Sequence, residues 1–73
     1  MKIIIGIPAF NEEKNIGPII QSLKKMYDDV LVCDDGSSDS TSSIALEMGA
    51  IVVKHPTNQG YGSAIKTIFN EAK

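Results

Sequence analysis

The sequence predicts an α/β fold, a three-layer βαβαβα unit built on a short parallel sheet, and three observations predict it. The runs Ile3-Ile4-Ile5-Gly6-Ile7, Val30-Leu31-Val32-Cys33 and Ala50-Ile51-Val52-Val53-Lys54 are short, rich in β-branched residues and free of polar alternation. Each reads as a strand, the first two as strands buried on both faces. Segments with helical spacing of apolar residues separate them, and each run gives way to turn chemistry. The connections are too short for anything but right-handed crossovers between parallel neighbours.

The elements follow in order. Lys2 to Ile7 is the first strand, and Pro8 is expected to end it. Ile16, Ile19, Ile20, Leu23, Met26 and Tyr27 then recur at the i, i+3, i+4, i+7 spacing of an amphipathic helix. Pro18 would cost a hydrogen bond deep inside a helix but not in its first turn. The spacing therefore predicts a loose first turn from Glu12 and a regular helix from about Asn15. Val30 to Cys33 is the second strand, and Asp34-Asp35-Gly36-Ser37 reads as a turn. A second helix is capped by Ser38 or Asp39, buries Ile44, Ala45 and Met48, and stops at Gly49. Ala50 to Lys54 is the third strand, closed by His55-Pro56. Ala64, Ile65, Ile68, Phe69 and Ala72 mark a third helix starting near Gly60 and Gly62. Residues 1–73 are read as one domain, half of a nucleotide-binding α/β unit.

Composition narrows the functional classes. The chain has 73 residues, 42% hydrophobic and 22% charged, with a net charge of −2. A domain this small buries only about 60% of its unfolded surface and is marginal without help. With no basic excess, a nucleic-acid partner is not expected. The apolar runs fall far short of the roughly 20 residues that span a bilayer. The amino terminus lacks the apolar core of a signal peptide, so a cytoplasmic location is expected. Cys33 is the single cysteine, which excludes an internal disulfide or thiolate cluster and suits a buried structural thiol.

Two acidic segments, Pro8-Ala9-Phe10-Asn11-Glu12-Glu13 and Asp34-Asp35-Gly36-Ser37-Ser38-Asp39, each follow a strand. In an open parallel sheet ligands bind at the carboxyl ends of the strands, so both loops are expected to face one ligand. The first strand-to-helix turn lacks G-x-G-x-x-G, and no G-x-x-x-x-G-K-[ST] occurs. Gly60-Tyr61-Gly62 reads as a flexible start to a helix, with backbone donors near a phosphate as its functional alternative. His55, beside a proline at a strand end, reads as a partly exposed loop residue. Lys24, Lys25, Lys54 and Lys66 read as solvated. No G-x-S-x-G elbow surrounds Ser37, Ser38, Ser40, Ser42 or Ser43.

Taken together, P-A-F-N-E-E after the first strand, D-D-G-S-S-D after the second, and Asn58-Gln59-Gly60-Tyr61-Gly62-Ser63-Ala64 opening the third helix resemble the amino-terminal pattern of family 2 glycosyltransferases. The resemblance covers Ile3 to Phe69, and the third motif looks most like the branch that transfers sugars to dolichyl or polyprenyl phosphate. It implies half of a GT-A, Rossmann-like domain with strand order 3-2-1, in an inverting enzyme that uses a UDP- or GDP-sugar. It also implies roles. Phe10 packs against the nucleotide base, Asp35 accepts a hydrogen bond from the base's ring N–H, Glu12 lies near ribose or base, and Pro8 and Ala9 give close backbone approach. Asp34 and Gly36 are further candidates, Asp34 also as an acceptor of backbone N–H groups that orders the loop. Glu13 reads as solvated, Asp39 as a helix cap, and Asn58 as a brace for its turn.

In the resembled family the metal-binding D-x-D motif and the catalytic base lie beyond the third helix. An inverting transfer needs a carboxylate to deprotonate the acceptor and a cation, Mg or Mn, on the leaving diphosphate. No catalytic residue and no metal ligand is therefore expected in this chain, which would read the nucleotide and catalyse nothing alone. The complete GT-A sheet runs 3-2-1-4, so the first strand would be left as an exposed apolar edge, a template for a homodimer. The alternative is a non-catalytic α/β nucleotide-binding or protein-interaction module.

Overall fold

A computed structural model of the chain describes residues 3–71. The elements are β1 (Ile4–Ala9), α1 (Ile16–Lys24), β2 (Asp29–Asp35), α2 (Thr41–Glu47), β3 (Ile51–His55) and α3 (Tyr61–Glu71). The three strands form one parallel sheet in the order β1-β2-β3, the expected βαβαβα arrangement.

Adjacent strand residues face opposite sides of a sheet, and this sorts the layers. Ile7, Ala9, Val30, Val32 and Val52 face Ile16, Ile20, Leu23, Ile44, Ala45 and Met48, so α1 and α2 cover one face and the main core lies between. Gly6 faces the other way: a Cβ built on it would lie 2.3 Å from Ile68 Cγ2 of α3. The close seat of α3 on the second face depends on that missing side chain.

Several strand boundaries differ from expectation: β2 starts one residue early, at Asp29, and β3 one residue late, at Ile51. β1 does not end at Pro8 but continues to Ala9, with Pro8 in register with Cys33. As an edge strand β1 bonds on one side only, and a proline is tolerated where its absent N–H would point away from the partner. Being an edge also leaves Ile4, Ile5 and Ile7 half-buried, whereas Val30 to Asp35 of the central strand are all buried. Lys2, expected to open β1, lies outside the described residues. β2 runs two residues further than its apolar run and includes Asp34 and Asp35, because both buried carboxylates find protein donors. β3 likewise extends to His55.

The helix ends follow local rules. The Glu12 carbonyl accepts the Asn15 and Ile16 N–H groups at 3.0 and 2.8 Å, forming the loose turn before the Asn15 cap. α1 stops at Lys24, and Met26, counted in its apolar stripe, is 72% exposed. α2 is preceded by Ser40, but the side-chain cap bond comes from Asp39, whose Oδ1 accepts the Thr41 N–H at 3.0 Å. It ends in a Schellman pair, Gly49 N–H to the Leu46 carbonyl and Ala50 N–H to that of Ala45, with Gly49 at φ +90°. Lys24 Nζ donates to the Gly49 carbonyl at 3.0 Å, tying α1 to the end of α2. Ala72, assigned to α3 from sequence, lies outside the described residues.

The contact between Gly6 and Ile68 makes a direct prediction. Gly6→Ala forces α3 off its seat or Ile68 out of its rotamer, an overpacking of about 1–3 kcal/mol. Urea unfolding should show a lower midpoint for the variant. An unchanged midpoint would mean that α3 does not pack on Gly6.

Candidate functional site

The site is built at the carboxyl ends of β1 and β2 by the alternation of the strand. Asp34 and Asp35 are neighbours in β2, so they serve opposite faces of the sheet. Asp34, fully buried, turns toward α2: its Oδ1 accepts the Ser37 N–H at 3.0 Å and its Oδ2 accepts the Ser42 hydroxyl. Asp35 turns toward α3. Its Oδ1 lies 2.8 Å from His55 Nδ1 and accepts the Gln59 N–H at 2.9 Å, while Oδ2 accepts the Gly60 N–H at 2.9 Å. These bonds shape the loop before α3.

Gly36, at φ +76°, permits that loop to come close. A Cβ there would lie 2.4 Å from both the Asn58 nitrogen and the Thr57 carbonyl carbon. No L side chain fits a position that is both left-handed and this crowded.

The two acidic loops are fastened to each other. Asn11, at φ +52°, donates its N–H to Ser37 Oγ at 2.8 Å and accepts the Ser38 N–H on Oδ1 at 2.9 Å. Next along the chain, Glu12 N–H donates to Thr41 Oγ1 at 2.9 Å and Glu13 N–H to Asp39 Oδ2 at 3.3 Å. Glu13 is exposed as expected, yet its Oε1 also accepts the Ser40 N–H at 3.2 Å. Asp39 thus holds the start of α2 and the first loop at once.

A cavity of about 380 Å³ opens beside this joint. Pro8, Ala9, Phe10, Glu12 and Asp35 all line it, with Asn58 and Gly60 from the loop before α3. Ile7 of β1, Ile16 and Ile19 of α1, and Tyr61 and Ala64 of α3 complete the walls. Phe10 is 46% exposed and Tyr61 72%, so both aromatic faces are open to a ligand. Asp34 and Gly36 are not among the lining residues. Of the two acidic segments, then, only Glu12 and Asp35 bring a carboxylate to the cavity.

His55 departs from its sequence reading. It is 8% exposed, lies in β3 opposite Asp35, and its Nε2 sits 2.8 Å from Thr67 Oγ1 and 3.7 Å from Cys33 Sγ. Sequence proximity to Pro56 suggested a loop. Only the parallel register, which brings the ends of β2 and β3 side by side, reveals its position. Tyr61 and Ile19 were also missed as cavity residues, Ile19 because helical spacing counted it as core.

Charge follows from these contacts. The Gln59 N–H and then the His55 ring hold the Asp35 carboxyl below the usual carboxylate range. The Thr41 hydroxyl does the same for Asp39. Burial, with the nearby charges of Asp35 and Asp34, pushes the Cys33 thiol up, away from a reactive thiolate. Among the described residues no three His, Cys, Asp or Glu side chains gather as a metal site. Both oxygens of Asp34 and of Asp35 are engaged by protein donors. The described residues do not fit a resident divalent cation. No helix among the described residues is long and apolar enough to cross a membrane.

An open parallel sheet with a cavity at its carboxyl edge is the arrangement of an α/β ligand-binding domain. The chain belongs to Glycosyl transferase family 2, whose profile matches residues 4–73. It is 33% identical over 88 residues to the UDP-N-acetylglucosamine–dolichyl-phosphate N-acetylglucosaminyltransferase of Methanococcus voltae, covering 96% of this chain and 35% of that one. Similarity to the dolichyl-phosphate hexose transferase of Haloferax volcanii is 37% identity over 68 residues, 90% of this chain and 28% of the relative. The crystal structure of glucosyl-3-phosphoglycerate synthase from Mycobacterium tuberculosis with Mn2+, uridine diphosphate and glucosyl-3-phosphoglycerate superposes with a TM-score of 0.76 at 33% identity, over 88% of this chain and 27% of that one. The fold is that of the amino-terminal portion of GT-A glycosyltransferases. The chain spans about a third of the length of these relatives or less.

The lowered carboxyls set an acid limit. A group whose folded pKa lies below its unfolded value contributes stability above the unfolded pKa and loses it as pH falls through the folded one. Stability should therefore be level down to about pH 5 and fall below about pH 4. Asp35→Asn should shallow that fall in urea unfolding followed against pH. An equally steep fall in the variant would mean that Asp35 is not held ionised by its donors.

Proposed function

We propose that the chain is the nucleotide-reading portion of an inverting glycosyltransferase that takes a UDP- or GDP-sugar and transfers the sugar to a polyprenyl phosphate at the cytoplasmic face of a membrane. The observation that carries this is the cavity lined together by Pro8, Ala9, Phe10, Glu12 and Asp35. Phe10 offers a half-exposed ring for a base to pack against, a contact that tolerates uracil or guanine alike. Asp35 offers an acceptor: an ionised carboxylate has about four lone-pair sites, and protein donors occupy three of them. The remaining site, on Oδ2, suits the ring N–H that uracil and guanine carry and cytosine and adenine lack. Glu12 lines the same cavity, its Oε2 bonded to Asn15 at 3.2 Å, and offers a ribose hydroxyl an acceptor.

The chemical step is assigned elsewhere. With the carboxylates of β2 committed to protein donors, the base that deprotonates the acceptor and the Mg or Mn ion on the diphosphate belong to other parts of the complete enzyme. The 73-residue chain alone then binds nucleotide weakly and transfers no sugar.

Titration of UDP or GDP into the chain, followed by NMR, should show binding in the millimolar range, weakened at least tenfold by Asp35→Ala. Binding unchanged by that substitution would favour a non-catalytic interaction module instead.

The outer edge of β1 has no partner strand among the described residues, and Ile3 beside it is 54% exposed. For the 73-residue chain by itself this supports a homodimer joined through β1, since such an edge is a template for a further strand. Sedimentation equilibrium should give a dimer mass at high protein concentration. A stable monomer there would overturn the pairing.

A further inference from the structure

His55 is the buried titratable group that the account above leaves without a function. Its position is specific: it ends β3 in register with Asp35, and its two ring nitrogens contact different elements. Nδ1 lies 2.8 Å from Asp35 Oδ1, and Nε2 lies 2.8 Å from the hydroxyl of Thr67 in α3. An ionised carboxylate can only accept, so Nδ1 carries the proton. In the neutral ring Nε2 is then the acceptor and Thr67 the donor.

The other donors to Asp35 differ in kind. Gln59 and Gly60 belong to the loop before α3, whose residues 56–59 are exposed. His55 comes from within the sheet and is braced from behind by the body of α3. Gln59 bonds one oxygen and Gly60 the other, so the two amides fix the carboxylate plane only relative to the exposed loop that carries them. The His55 donor ties that plane to the sheet.

We propose that His55 is a positioning residue for base selection: it fixes the plane of the Asp35 carboxylate so that the free acceptor site on Oδ2 faces the cavity, and thereby sets the preference for a nucleoside diphosphate whose base carries a ring N–H. The inference rests on the base-reading role of Asp35. Thr67 contributes by holding the ring in the tautomer that donates to Asp35.

The test compares UDP with CDP, which lacks the ring N–H, in NMR titrations of the full chain and two variants of similar size and polarity. In His55→Asn the amide NH2 falls near the place of Nδ1–H. In His55→Gln it reaches one bond further, toward Thr67. The wild-type chain should prefer UDP roughly tenfold, the worth of one hydrogen bond to a charged group. His55→Asn should keep most of that ratio, and His55→Gln should bring it close to one. Nitrogen-15 spectra of the wild-type ring should show the proton on Nδ1. Equal ratios in the two variants, or a proton on Nε2 in place of Nδ1, would overturn the role of His55 while leaving the base-reading role of Asp35 intact. A wild-type chain that does not distinguish UDP from CDP would overturn both.

Discussion

A carboxylate only 4% exposed at the end of a central strand must draw most of its hydrogen-bond donors from the protein, because little solvent reaches it. Asp35 meets this requirement with the His55 ring and the Gln59 and Gly60 amides. Each donor comes from a different stretch of chain from β2, so satisfying one charge aligns the end of β3, the loop after it and the start of α3. Asp35 also lines the cavity. In the proposed function stability and recognition draw on the same carboxylate, and its lowered pKa is the sign that the charged form is the one the fold prefers.

The second constraint is the joint between the two acidic loops. Three successive amides, those of Asn11, Glu12 and Glu13, are satisfied by side chains of Ser37, Thr41 and Asp39. Loops at strand ends are usually the mobile part of an α/β domain. Here they are fastened to each other before any ligand arrives, and Phe10 projects from that fixed frame. A small domain with a modest core has little energy to spare for ordering loops on binding. Preorganisation of this kind is what lets so short a chain present a shaped site.

Much of this was legible in the sequence. The apolar runs and their spacing marked every strand and helix, because burial imposes periodicity on residues that the eye can follow. The cavity residues Phe10, Glu12 and Asp35 were legible because the two acidic segments follow strands, and the resemblance to family 2 glycosyltransferases singled out these residues within them. Other features were not. Isoleucine runs look alike in edge and central strands, so β1 was read as buried on both faces. Asp34-Asp35 looked like a turn because a pair of aspartates in a strand makes sense only once Ser37, Ser42 and the loop at 59–60 supply donors. The period of two in a strand could have separated the two aspartates: only one of them can face any given ligand. His55 was illegible for a different reason, since its partner is 20 residues away and only register brings them together.

The central claim is that the cavity beside Asp35 and Phe10 receives a nucleotide base. The measurement that addresses it most directly is an NMR map of the chain saturated with UDP, with intermolecular contacts to the uracil ring protons assigned. The account predicts contacts from the uracil ring to Phe10 and the largest amide shifts at Asp35, Gln59 and Gly60. Contacts that fall instead on α2 and the amino-terminal ends of the strands, away from these residues, would contradict it.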